Sequence, residues 1–343
     1  MTLKSTVLKN RGISYLKRIF KTSQAPVYVS LFFTRQCNLD CSYCKTSKGM
    51  ATKDISIDRW KYIIDILHDR GCRHITIYGG EPTIRSDLAD MIKYCTEKKI
   101  LTHVVSNGLL INEDMLKEYA MNGYFILGIS IDNFYTTKTS QKIYRPEFIE
   151  LLREIKKRYP SKIDFCFNII ITRENLNQLF LLIKRLNNEI DCAFSLDPVH
   201  SSLSPKQKYQ YRNYCPDLML KKEEMNALIN LIFKLKRQNV EIWGTKRYYY
   251  YMNKWYNKSY YWNCNAGDYY YSIDNDGNIM LCEEIRTKLK FLDFLKLPAK
   301  KRVKKIRKYK FSSCDCFKPC YWIPSDLIKH PINSFIYQFK FRK

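Results

Sequence analysis

Apolar residues in the first part of the chain fall into short runs separated by longer stretches with helical spacing. Runs at 27–33, 74–78, 101–105, 125–131, 164–171 and 192–196 read as strands. Between them, 57–70, 86–98, 112–122, 146–158 and 173–187 read as helices, with capping chemistry at Ser86-Asp87 and Asn112-Glu113. Repeated strand–helix units imply parallel strands joined by right-handed crossovers, hence an α/β barrel or open sheet. In such folds function gathers at the carboxyl ends of the strands. Past Asp197-Pro198 the repeat loosens. A polar loop is expected at 201–214, an amphipathic helix at Lys222–Arg237 and a short strand at 240–243. Residues 247–262 are dense in Tyr and Trp, which can stack on bases or sugars, or pack one part of the chain onto another. Packing is the expectation adopted, with an occasional substrate contact.

Composition changes the picture in two ways. The chain has 343 residues, enough for one large domain or two modest ones, and a net charge of +26. Such a field favours anionic partners, although plentiful Lys, Ile, Asn and Tyr also suit an AT-biased coding sequence. Thirteen cysteines without a secretory leader point to reducing cytoplasm rather than a disulfide scaffold. No stretch approaches the roughly eighteen apolar residues of a spanning helix. Both ends are basic and partly apolar. Leu8, Ile13, Leu16, Ile19 and Phe20 at one end, and Phe335, Ile336, Tyr337, Phe339 and Phe341 at the other, could pack on the domain or meet an anionic membrane surface. A peripheral position on the inner membrane face is therefore one expectation.

The chemistry concentrates at Cys37-Asn38-Leu39-Asp40-Cys41-Ser42-Tyr43-Cys44, directly after the first strand. Thiolates are soft ligands for iron–sulfur clusters, zinc or copper(I). Three local cysteines fill three corners of a cubane and leave one iron open. A structural zinc site needs a fourth ligand, and the paired spacing of zinc fingers is missing. Gly79-Gly80-Glu81-Pro82 follows the second strand, Ser106-Asn107-Gly108 the third and Ser130-Ile131-Asp132 the fourth, with Asn168 inside the fifth. Cys72, Cys95, Cys166, Cys192 and Cys215 stand alone and read as core, as do His74 and His103.

The first cysteine group, with Tyr43 at its aromatic position, resembles the Cys-x3-Cys-x-aromatic-Cys signature of radical S-adenosylmethionine (SAM) enzymes. Gly79, Gly80, Glu81 and Pro82 are similar to that family's Gly-Gly-Glu-Pro motif. The resemblance implies a partial (β/α)6 TIM-type barrel over 27–200. It implies a [4Fe–4S] cluster on Cys37, Cys41 and Cys44 whose open iron chelates SAM. Reductive cleavage of SAM then releases a 5′-deoxyadenosyl radical. Gly79, Gly80 and Glu81 are implied to meet the SAM amino group, while Ser106, Asn107, Ser130, Asp132 and Asn168 line the pocket. A one-electron donor such as flavodoxin or ferredoxin is implied as a partner.

A second group comprises Cys264, Cys282, Cys314, Cys316 and Cys320, with a hairpin signal at Asp274-Asn275-Asp276-Gly277-Asn278 between the first two. A zinc knuckle is one reading. Cys264-x12-Gly277-x4-Cys282 followed by a compact cysteine knot also resembles the SPASM/twitch extension of radical SAM enzymes. Five cysteines are too few for two complete clusters, so one auxiliary [4Fe–4S] cluster is expected on Cys264, Cys282, Cys320 and either Cys316 or Cys314. The domains expected are a basic segment 1–26, the core 27–200, a linking helix and aromatic segment 201–262, the auxiliary domain 263–322 and a basic tail 323–343.

The implied activity is hydrogen abstraction from a substrate carbon, leading to oxidation, epimerisation or cross-linking. Only about 26 residues precede the first strand, which is short for a peptide-binding module and favours a small, carbohydrate-like or lipid-linked substrate over a peptide. The alternative is a nucleic-acid-binding metalloprotein. It accounts for the charge and the aromatic stretch but leaves the first cysteine motif and its glycine pair without a purpose.

Overall fold

The computed structural model describes residues 26, 28–46, 53–200, 213–310 and 316–330. Cys314, residues 1–25 and residues 331–343 lie outside these residues, so most of the expected basic ends is not described. Six parallel strands run in chain order across one sheet: β1 (Tyr28–Thr34), β2 (His74–Gly79), β3 (Leu101–Ser106), β4 (Phe125–Ser130), β5 (Ile163–Ile171) and β6 (Cys192–Pro198). The helices between them are α1 (Ile57–Asp69), α2 (Leu88–Glu97), α3 (Glu113–Asn122), α4 (Pro146–Arg158) and α5 (Leu179–Glu189). This is the α/β, partial-barrel architecture expected, and its sheet is not closed. After β6 come α6 (Lys222–Arg237), α7 (Lys246–Tyr256), β7 (Tyr270–Ile273), β8 (Ile279–Met280), α8 (Phe291–Lys296), α9 (Ala299–Arg307) and α10 (Pro319–Lys329).

The sheet does not stop at the first strand. β7 pairs in parallel with the free edge of β1, setting Ser30 opposite Ser272, and β8 returns antiparallel to β7. The order is therefore β6-β5-β4-β3-β2-β1-β7-β8, and the C-terminal segment extends the same sheet.

Strand residues alternate between two interiors, as a period of two dictates. Val29, Leu31, Ile75, Ile77, Leu127 and Phe165 face helices, where Trp60, Leu88 and Leu152 meet them. On the opposite face Leu101, Ile126, Cys166 and Ala193 close the floor beneath Trp243. Above that floor the lumen is tight and polar. A Cβ on Gly128 would stand 2.5 Å from His103 Nε2 and 2.7 Å from Asn168 Nδ2.

Differences from the sequence reading have local causes. Asn112 caps α3 by accepting from Met115 N at 2.9 Å, an arrangement whose loss costs about 1 kcal/mol. Asp87 gives α2 no side-chain cap because Arg85 holds both its oxygens, at 2.8 and 2.6 Å. α5 starts at Leu179 because Asn175 folds the preceding residues into a turn. Its Oδ1 accepts from Thr172 N at 2.8 Å while its Nδ2 donates to Asp132 O and Ile170 O. The expected strand at 240–243 is one bridge, between Ile242 and Phe194. Cys72, Cys95, Cys166 and Cys192 are buried as expected, whereas Cys215 is half-buried in a loop. Among the described residues no helix is long and apolar enough to cross a membrane.

Candidate functional site

The first cysteine group leaves β1 at the carboxyl end of the sheet, and two glycines seat it. Gly80 N donates to Thr34 O at 2.8 Å, and Glu81 N donates to Gln36 O, also at 2.8 Å. A Cβ on Gly80 would lie 2.0 Å from Gln36 O, and one on Gly79, whose φ is +155°, would lie 2.3 Å from Thr34 O. Glycine is required because the backbone entering the cysteine loop passes directly over this pair.

Glu81 organises the next strand end. Its Oε1 accepts from Thr83 N, Thr83 Oγ1 and Ser106 Oγ at 3.1, 2.6 and 2.7 Å, and its Oε2 accepts from Asn107 N at 2.7 Å. Asn107 Nδ2 in turn donates to Asn38 Oδ1 at 2.7 Å, inside the cysteine loop. Pro82 opens the buried 3-10 turn Pro82–Ile84. A side chain 1% exposed with four donors on it holds its neighbours rather than solvent.

Asp132 organises the other side. Its Oδ2 accepts from Tyr43 OH at 2.6 Å and Ser140 Oγ at 2.8 Å, and Lys142 Nζ stands 3.2 Å away. Its Oδ1 accepts from Ile170 N at 2.9 Å. Burial and then the Asp132 carboxylate push the Tyr43 hydroxyl well above its usual range, so it remains a neutral donor. Burial alone would lower the Lys142 ammonium, but Asp132 and the Cys41 thiol outweigh it and the net shift is upward. The same ammonium lies 5.1 Å from the centre of the Tyr43 ring. Two backbone contacts finish the loop: Ser42 N donates to Thr139 O at 3.1 Å, and Asn213 N donates to Tyr43 O at 3.0 Å.

The structure thus brings together Cys37, Cys41, Cys44, Tyr43, Gly79, Gly80, Glu81, Ser106, Asn107 and Asp132. Ser130 and Asn168 are register partners on β4 and β5, below this rim. Thr83, Ser140, Lys142 and Asn213 were missed by sequence reading, since single polar residues in loops carry no period and no fixed spacing to the cysteines.

The thiols suit a soft polynuclear group. Burial pushes Cys37 up to about 11; the N–H of Leu39 opposes this, while Glu81, Cys44 and Cys41 add to it. Cys41 is also raised, chiefly by burial, with Lys142 opposing. Among the described residues no three His, Cys, Asp or Glu side chains converge as a ready single-ion site. A cubane, whose ligands stand at separate corners, does not require such convergence.

The second group lies in an aromatic shell. Burial, then nearby Cys316 and Cys264, push the Cys282 thiol well up. Cys264 Sγ is 3.2 Å from Tyr270 OH, and Tyr270 stacks on Tyr321 at 4.7 Å. Phe317, between Cys316 and Cys320, is fully buried and stacks on Tyr248 and Trp255 at 5.4 and 5.8 Å. Trp262 Nε1 donates to Cys316 O at 2.8 Å. The Tyr/Trp-rich segment thus packs against the cysteine segment, although Tyr250 and Tyr261 stay exposed.

A model of the radical SAM superfamily matches residues 31–186. Over this segment the chain is similar to the radical SAM superfamily. Among its relatives is a PqqA peptide cyclase of Bradyrhizobium diazoefficiens, 26% identical over 162 residues, or 46% of this chain and 43% of that protein. An AdoMet-dependent heme synthase of Nitratidesulfovibrio vulgaris is 30% identical over 161 residues, 45% of this chain and 43% of that one. The sporulation killing factor maturation protein SkfB of Bacillus subtilis is 25% identical over 167 residues, 48% and 41%. The chain therefore spans less than half the length of these curated relatives.

The fold likeness runs further along the chain. SuiB of Streptococcus suis, bound to its precursor peptide SuiA, superposes with a TM-score of 0.62 at 19% identity, covering 88% of this chain and 71% of that one. The anSMEcpe structure with AdoMet and the Cp18Cys peptide gives 0.56 at 15% identity, covering 83% and 84%. Coverage this wide reaches past residue 186, so the shared fold includes part of the C-terminal region.

Proposed function

We propose that this chain uses SAM to abstract hydrogen from a carbon of its substrate. The observation that carries the reading is the seating of the cysteine loop on Gly79-Gly80-Glu81 at the carboxyl end of a parallel sheet. Cys37, Cys41 and Cys44 would hold a [4Fe–4S] cluster, which when bound would supply the electron for reductive cleavage of SAM.

The chain's own residues then position and shield. Gly79 and Gly80 keep side chains away from the loop root, where the SAM amino group would lie. Glu81 fixes Ser106 and Asn107 at the rim, within reach of a ribose or carboxylate. Asp132 holds Tyr43 against the loop, while Lys142 places a positive charge beside Cys41. Asn168 Nδ2 is buried with no hydrogen-bond partner among the described residues, which favours a ligand-facing role for it in the lumen. Cys264, Cys282, Cys316 and Cys320 would hold one auxiliary [4Fe–4S] cluster inside the aromatic shell. The external electron comes from a donor such as flavodoxin or ferredoxin.

For the substrate, the relatives move the balance. PqqA peptide cyclase is named for work on a peptide, so a peptide is favoured here over the small or carbohydrate-like substrate that chain length suggested. The nucleic-acid reading loses its main support, because Tyr248, Trp255 and Trp262 are engaged in internal packing. The test is anaerobic incubation of the full chain with dithionite and SAM, following 5′-deoxyadenosine. Brown protein that forms it is the expected result; colourless, zinc-loaded protein that forms none would sink the reading.

A further inference from the structure

Hairpin turns ordinarily sit on the surface. The one joining β7 to β8 is charged and its first two residues are enclosed, with Asp274 and Asn275 both 0% exposed. What encloses it is the root of the first cysteine loop. Arg35, two residues before Cys37, directs its guanidinium into the turn. Nη2 donates to Asp274 Oδ1 at 2.9 Å, and Nε donates to Asn275 Oδ1 at 3.1 Å. The Arg35 guanidinium also lies 4.6 Å from the centre of the Phe32 ring. Arg286 braces the far side, bonding Asp274 Oδ2 through Nε and Asp276 Oδ2 through Nη2 at 3.2 Å.

The same turn holds the chain where it returns from the loop. Asn275 O accepts from Ile55 N at 2.9 Å, and Asn275 Nδ2 donates to Asp54 Oδ1 at 2.7 Å. Two residues of the hairpin thus hold both flanks of the segment that carries Cys37, Cys41 and Cys44. On its other side, the Arg35–Gln36 backbone rests on Gly80, whose added Cβ would stand 2.9 Å from Arg35 O. The root of the loop is therefore fixed between β2 and the hairpin, and β8 runs on to Cys282 two residues later.

We infer that Arg35, Asp274 and Asn275 are positioning residues that set the geometry of the Cys37–Cys44 loop from the far end of the chain. This rests on Cys37, Cys41 and Cys44 being cluster ligands. The guanidinium fork matters as well as the charge. It reaches two acceptors on neighbouring residues at once, which a lysine ammonium on a flexible stem does not reproduce. Groups behind metal ligands orient them and tune the metal, and their removal commonly lowers affinity or activity by about 10–100-fold.

The experiment uses the full chain, reconstituted anaerobically and reduced. The electron paramagnetic resonance signal that changes on adding SAM reports the first cluster specifically. Arg35→Lys and Asn275→Ala are compared with wild type and with Asp293→Asn, which loosens an exposed pair with Lys296. Asn275→Ala is the milder variant, because it leaves the Arg35–Asp274 ion pair in place. In both test variants the SAM-responsive signal should change shape and midpoint potential, and deoxyadenosine formation should fall about tenfold or more. Asp293→Asn should match wild type. If both variants keep the wild-type signal and midpoint and lose only thermal stability, the turn is a structural staple and the inference fails. If wild type itself lacks a SAM-responsive signal, the cluster assignment fails first and this inference with it.

Discussion

The two cysteine groups are held by opposite kinds of matter. The first sits among hydrogen-bonding side chains: Glu81 and Asp132 each gather several donors, and Asn107 and Asn213 reach into the loop. The second is wrapped in rings, with Phe317, Trp322, Tyr270 and Tyr321 buried beside its thiols. Directional polar contacts fix a loop's geometry while leaving a mouth that polar ligands can enter. An aromatic shell excludes water and shields whatever the thiols hold, and solvent exclusion is one lever on a cluster's reduction potential. The contrast suits one centre that exchanges a ligand and one that does not.

The largest effect should come from removing the ligands of each side in turn. Wild type should carry about eight irons per chain, as two cubanes require. Replacing Cys37, Cys41 and Cys44 by Ala should halve the iron and abolish deoxyadenosine formation. Replacing Cys264, Cys282, Cys316 and Cys320 should also halve it, yet leave the SAM-responsive signal. Normal deoxyadenosine from the first variant would break the comparison, and near twelve irons in wild type would require a third centre.

Next in size is Phe317→Ala. Emptying a fully buried ring site typically costs about 3–5 kcal/mol. The loss should appear as a lower denaturation midpoint and faster chelation of the C-terminal iron. Equal acceleration at both sites would mean that the shell protects neither group selectively. Smaller again is Gly80→Ala, where crowding the Gln36 backbone should cost about 1–3 kcal/mol. Its mark should be selective, with the SAM-responsive signal weakened and the C-terminal iron retained. A variant unchanged in both readouts would show that the glycine seat is looser than its geometry indicates.

Much of this molecule is legible along the chain because its signals are local. Cys37, Cys41 and Cys44 lie within one loop, and the strands from β1 to β6 show as short apolar runs between helical stretches. What stayed hidden depends on residues far apart in sequence. Nothing near Arg35 announces Asp274, and nothing near Tyr43 announces Asp132. The parallel docking of β7 on β1 leaves no periodic trace, since either strand reads the same with or without that neighbour. α9 was hidden for a different reason: of its nine residues only Arg302 and Ile306 are buried, and the rest is largely basic. An apolar stripe that sparse gives a periodicity search little to find. The aromatic segment was legible in composition, and its partner, Phe317, was visible only once folded.

The pairing of β7 with β1 has a consequence for how the chain is made. Synthesis delivers β1 early and β7 only after the intervening strands and helices have emerged. Until then the outer edge of β1 presents unpaired amides and carbonyls, the condition that invites pairing with another chain. The contact that covers it, Val29 to Tyr271, closes a loop of most of the molecule and is slow for that reason. A nascent or truncated product ending after β6 would have its other five strands in place and still keep an adhesive flank. Expression trials that stop there should collect in the insoluble fraction, and adding back residues through β8 should return the chain to solution.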